Sequence, residues 1–148
     1  MKKFKIVLTA IVMLLAATSF ATEPLKVSPV VKAAFENHFS RASQVSWEKS
    51  NDFYFASFTL NDVNVDAAYT EKGELIGTSR RITAEQMPLS ISLAIAQKYD
   101  GYLVDKSVVE LTYEGVTRYY VTVWNPSHAF KLKCFSNGEL EIERKIKK

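Results

Sequence analysis

The chain has 148 residues, with 19 Lys and Arg against 16 Asp and Glu, a formal net charge of +3 and a single cysteine. One thiol excludes an intramolecular disulfide. The excess positive charge is confined to the first few residues, since Lys2, Lys3 and Lys5 precede every acid. Beyond residue 21 sixteen charges of each sign remain, which excludes a global field that would draw the protein to nucleic acid or an anionic membrane.

Residues 1–21, MKKFKIVLTAIVMLLAATSFA, read as a secretory signal. Three lysines form a positive n-region and Ile6 to Ala17 an apolar h-region. Ser19-Phe20-Ala21 is a small-x-small cleavage site. The apolar run is shorter than the ~20 residues a membrane span needs, so cleavage is expected, with no membrane attachment afterwards. The expected mature chain, 22–148, is about 127 residues, enough for one domain with a real core. Its expected address is the periplasm or the medium.

The mature chain can be written twice, over about 27–82 and 87–148. The first copy opens with Ser28 as N-cap, Pro29 at the first helical position, then Val30, Val31, Ala34, Phe35 and Phe39 at helical spacing. Strands follow as QVSWEK, DFYFASFT and VDAAYT, closed by the turn Glu71-Lys72-Gly73. The second copy begins in the same way at Met87-Pro88, with Ile91, Ala94, Ile95 and Tyr99 in helical phase before Asp100-Gly101 stops the helix. Its strands VVELTY, TRYYVTVW and FKLKCF answer those of the first copy, and Ser136-Asn137-Gly138 answers the glycine turn. Gly-Glu-Leu recurs at 73–75 and 138–140. The spacing is too long for a small solenoid unit, so a tandem duplication within one domain is expected. The fold class is α+β: about eight antiparallel strands with two helices on one face.

Alternation assigns the faces. Tyr54, Ala56 and Phe58 match Tyr119, Val121 and Val123, and Val65, Ala67 and Tyr69 match Phe130, Leu132 and Cys134. These sets are apolar in both copies and are expected beneath the helices. That phase makes Cys134 an inert core thiol. The opposite face collects Phe53, Phe55, Ser57, Asn64, Asp66, Arg118, Tyr120, Thr122, Trp124, Lys131, Lys133 and Phe135. Two helices cover only one side of such a sheet, so this second face is expected to meet water or a partner. Its aromatics have two readings. One is cross-strand packing, worth roughly 0.2–1 kcal/mol per pair. The other is an aromatic-anchored interaction surface, centred on Phe55, Arg118, Tyr120, Trp124, Lys131 and Lys133.

The order of Phe35 and Phe39, Val45-Ser46-Trp47, Ala68-Tyr69, Gly73-Glu74-Leu75, then Met87-Pro88 before Ile91, Ile95 and Tyr99 resembles the β-lactamase-inhibitor-like, PepSY-like family. Those are small secreted or periplasmic proteins of Gram-negative bacteria. Met87 departs mildly from the pattern, in which leucine before the proline is more typical. The likeness covers nearly all of the mature chain. It implies a helix-plus-sheet fold, and its motifs are structural positions rather than chemistry.

Chemistry-bearing patterns are lacking. There is no His-x-x-x-His, Cys-x-x-Cys, Gly-x-Ser-x-Gly, calcium loop or phosphate-cradling glycine loop. His38 reads as a satisfied helix-edge histidine and His128 lies in a turn. Glu139, Glu141 and Glu143 alternate along the last strand, 138–146, as a solvated face, and Arg144-Lys145-Ile146-Lys147-Lys148 is a basic terminus. Arg80 and Arg81 are neighbours on a strand and point to opposite faces. No catalytic residue, metal site or cofactor is therefore assigned. A non-enzymatic periplasmic module docking a protein or peptide stands first. An inhibitor of a secreted hydrolase stands second and an enzyme with an unrecognised site third. An exposed aromatic face is also compatible with a homodimer.

Overall fold

The computed structural model describes residues 25–146. The signal segment, 1–21, lies outside the described residues. Helix α1, Pro29–His38, precedes strands β1, Ser43–Ser50, β2, Phe53–Leu60, β3, Val63–Thr70, and β4, Leu75–Thr83. A 3₁₀ turn, Ala84–Gln86, leads to helix α2, Leu89–Lys98, and then to β5, Leu103–Val104, β6, Ser107–Tyr113, β7, Val116–Trp124, β8, Ala129–Phe135, and β9, Leu140–Ile146. The strands pair in the order β1-β2-β3-β4-β6-β7-β8-β9, with β5 on β7. Among the described residues the fold is α+β with nine antiparallel strands where the sequence suggests about eight; the extra one is the two-residue β5. Two compact units divide within β4, one ending at Ser79 and one beginning at Arg80.

In the first unit α1 starts at Pro29, whose missing N–H would have had no helical partner. The Ser28 side chain makes no capping bond; its carbonyl accepts the first helical bond, from Lys32 N–H at 3.0 Å. The buried face of α1, Val31 and Phe35, packs with Val27, Tyr54, Ala56, Phe58, Ala67 and Tyr69. Phe35 is the hub: its ring centroid lies 5.2 Å from Trp47 and 5.0 Å from Phe58, both edge-on. Such pairs contribute about 0.5–1.5 kcal/mol each beyond their buried area.

In the second unit Ile91 and Ile95 of α2 pack with Met87, Tyr99, Val108, Tyr119, Val121, Val123, Leu132 and Cys134. The core sets expected from alternation in β2, β3, β7 and β8 are thus beneath their own unit's helix. The repeat register differs by one residue at the second helix. Pro88, not Met87, occupies the N-cap, with φ −51° and ψ 136°, nearly the values of Ser28. Ser28 therefore corresponds to Pro88, and the buried pair Val27 and Met87 precede them. A proline serves there because its fixed φ fits the cap and it loses no helical donor.

The two glycine turns are wired identically. Gly73 N–H donates to Thr70 carbonyl and Thr70 N–H to Glu74 carbonyl; Gly138 donates to Phe135 and Phe135 to Glu139 in the same way. Both glycines have positive φ, 81° and 89°. Each also abuts the first turn of its unit's helix. A Cβ on Gly73 would lie 3.1 Å from the Val30 carbonyl oxygen, and one on Gly138 3.0 Å from that of Ser90. Ser90 Oγ fixes the second contact by donating to the Ser136 carbonyl at 2.6 Å. The recurring Gly-Glu-Leu is therefore a seat for a helix as well as a turn.

Candidate interaction surface

The face of β7–β9 turned away from α2 is built by register. Arg118 stands opposite Phe135, Tyr120 opposite Lys133, and Thr122 opposite Lys131. On β9, Glu141 faces Lys133. A bulge between Lys131 and Leu132 then advances the ladder, and Lys131 reaches Glu143. Two ion pairs result: Lys133 Nζ to Glu141 at 2.8 Å and Lys131 Nζ to Glu143 at 3.2 Å. Each ammonium also lies over a ring, Lys131 at 5.2 Å from the Tyr120 centroid and Lys133 at 4.8 Å from that of Phe135. Glu141 and Glu143, exposed as a solvated strand face requires, are also the counter-charges of the two lysines.

This arrangement corrects the expected open face. Tyr120 is only 4% exposed: it stands between Val109 of β6 and Lys133 of β8, and the Lys131 ammonium, paired with Glu143, lies over its ring. Burial raises the Tyr120 hydroxyl pKa above its ordinary value, with Glu143 adding to the effect. Phe55 is 2% exposed and belongs to the first unit, where it stands between Glu48 and Ala68 in the β1–β2–β3 ladder. Alternation told correctly that both point away from the helices. It did not tell their exposure, since neighbours on adjacent strands can shield a ring where no helix does. Arg118, Lys131 and Lys133 are half-buried.

Trp124 is the expected aromatic that reaches solvent, at 38% exposure. It stands directly opposite Leu103 of β5, itself 57% exposed. Leu103 was not singled out in the sequence. Its signal was the short apolar run Tyr102-Leu103-Val104 between the Asp100-Gly101 helix stop and Asp105. In the first unit the corresponding end of that face is polar: Ser57 donates to Asp66 at 2.6 Å and Thr59 to Asn64 at 3.2 Å.

Groups with chemical potential elsewhere are occupied or shielded. Cys134 is fully buried and burial pushes its thiol pKa up to about 12, as its core-facing phase requires. His38 Nδ1 lies 3.1 Å from the Tyr69 hydroxyl, the satisfied helix-edge histidine that was expected. Arg80 makes a two-pronged pair with Glu110, at 2.7 and 3.3 Å. Exposed His128 stacks on Phe130 at 6.2 Å. Among the described residues no three His, Cys, Asp or Glu side chains are grouped to hold a metal ion, and no helix is long and apolar enough to cross a membrane.

No family model and no curated protein matches the chain. Solved structures do. A BLIP-like protein from Bacteroides fragilis superposes with a TM-score of 0.71 at 21% identity, over 84% of this chain and 89% of that one. The fold is BLIP-like. A protein of Bacteroides eggerthii described provisionally as periplasmic gives 0.71 at 17% identity, over 82% and 91% of the two chains. A DUF2874 family protein from Bacteroides uniformis gives 0.69 at 20%, over 80% and 88%. The resemblance to β-lactamase-inhibitor-like proteins read from the sequence holds at the level of fold. Likeness at this identity speaks for architecture alone.

Proposed function

We propose that the chain is a non-enzymatic periplasmic or secreted binding module that docks a protein or peptide on the sheet face of its second unit. The exposed cross-strand pair Leu103 and Trp124 carries this reading. A tryptophan beside an apolar residue supplies the kind of anchor in which interface energy concentrates. The ion-paired ladder of half-buried Lys131 and Lys133 with exposed Glu141 and Glu143 would form the polar rim beside it. Tyr120, buried in the same face, would support the surface from below rather than touch the partner. Periplasmic pull-down with Trp124→Ala and Leu103→Ala tests the proposal. Loss of a captured partner with an unchanged circular dichroism spectrum supports it, and undiminished capture by both variants overturns it.

A second reading, inhibition of a secreted or periplasmic hydrolase, draws on the BLIP-like fold of the B. fragilis neighbour. Purified protein assayed at micromolar concentration against a panel of periplasmic hydrolases decides it; no inhibition removes it.

A further inference from the structure

A cavity of about 430 Å³ opens beside α2, on the side of the second unit away from the Trp124 face. Its wall is mainly apolar and includes Met87, Ile95, Tyr99 and Tyr102. Tyr99 and Tyr102 meet edge to face with centroids 5.6 Å apart, so one ring presents its π-face where the other presents its edge. Glu85, from the 3₁₀ turn, and Asp100, from the end of α2, also line the cavity, and no basic side chain does. The sequence explains the asymmetry, since α2 carries no charge before Lys98. Glu85 is held in its ionised form, chiefly by the Thr83 side chain, with Lys106 contributing least. The matching cavity of the first unit, about 440 Å³ and lined by Phe35, Phe39 and Trp47, carries Lys32 together with Glu36 and is balanced in charge.

An apolar wall with two aromatic rings, two carboxylates and no cation is complementary to one class of small molecule. We propose that the cavity beside α2 binds an organic ammonium ion with an apolar, ring-sized body. The body packs on Met87 and Ile95, and the ammonium lies between the tyrosine rings and the carboxylates of Glu85 and Asp100. This site is separate from the Leu103–Trp124 surface and does not depend on the reading given to that surface.

The test uses three indole probes of one shape and different charge: tryptamine, its neutral alcohol analogue tryptophol, and the anionic indole-3-propionate. Methyl NMR follows Ile95 and Val104 in this cavity and Ala42 and Val45 in the first unit's cavity. Tryptamine is expected to shift Ile95 and Val104 and to bind about three- to tenfold more tightly than tryptophol, the gain of one or two solvent-exposed ion pairs. Indole-3-propionate is expected to bind weakest. Glu85→Gln and Asp100→Asn should each bring tryptamine toward tryptophol while leaving tryptophol unchanged. Equal affinity for the three probes, indifference to both substitutions, or shifts confined to Ala42 and Val45 would overturn the proposal. Ala96→Trp, which places a ring in the cavity, should abolish the shifts. If that variant does not fold, the two isosteric substitutions still decide.

Discussion

Leu103 and Trp124 face each other directly in the β5–β7 ladder, and both are open to solvent. Next along the two strands Val104 faces Val123, which lies in the core. One two-residue strand thus holds an exposed apolar pair against a rigid support. A tryptophan so placed loses little freedom on binding, which makes it a better anchor than one on a loop.

The distinction between anchor and support separates two aromatics of β7, Tyr120 and Trp124. Tyr120→Ala should lower stability by about 3–5 kcal/mol, because it empties a buried aromatic site. Trp124→Ala should lower it by only about 1 kcal/mol or less, since the residue is partly solvated and its loss leaves no enclosed cavity. Urea titrations of the two variants check this; a larger loss at Trp124 would reverse the assignment.

The glycine seats predict an unequal response to one substitution. Gly138→Ala and Gly73→Ala should each cost about 1–3 kcal/mol through left-handed backbone strain, compounded by the carbonyl 3.0–3.1 Å from the new methyl group. Gly115→Ala has the same positive φ but nothing within 4 Å of its Cβ, so it should cost less. Thermal melts of the three variants would show the ranking, and equal losses would dismiss the helix contact.

Alkaline titration should unfold the protein in a defined window. Cys134 is raised from 9.0 to about 12 and Tyr69 from 10.0 to about 12, both by burial. The unfolded chain then gives up these protons before the native one does. Stability is therefore full below about pH 9 and falls as pH rises toward 12. Cys134→Val, close in size and without a titrating group, should delay the onset to the tyrosine range above about pH 10. Native Cys134 should also resist iodoacetamide and react only in denaturant. Rapid labelling of the folded protein would contradict its burial.

Much of the fold was legible because two copies of a pattern constrain each other. Apolar phase shared by Tyr54 and Tyr119, or by Ala67 and Leu132, identified the buried faces, and the repeated Gly-Glu-Leu located the turns. The seat that Gly138 makes for Ser90 was not legible, since nothing local in the sequence brings a turn after β8 to a helix far earlier in the chain. The surface was read less well. Side-chain period gives direction, not exposure, so Tyr120 and Trp124 look alike in TRYYVTVW, although the first is flanked by β6 and β8 in mid-strand and the second ends β7 opposite exposed Leu103. Leu103 escaped notice because a two-residue strand has no period to detect.

The claim most open to trial is that the Leu103–Trp124 edge of the second unit is where a partner docks. A photo-crosslinking residue placed at Leu103, with another at the exposed β2–β3 turn residue Asn61 as control, should be irradiated in periplasm. A discrete adduct from position 103 that is absent from position 61, and lost when Trp124→Ala is added, is the predicted result. No adduct at 103, or the same products from both positions, would contradict the account.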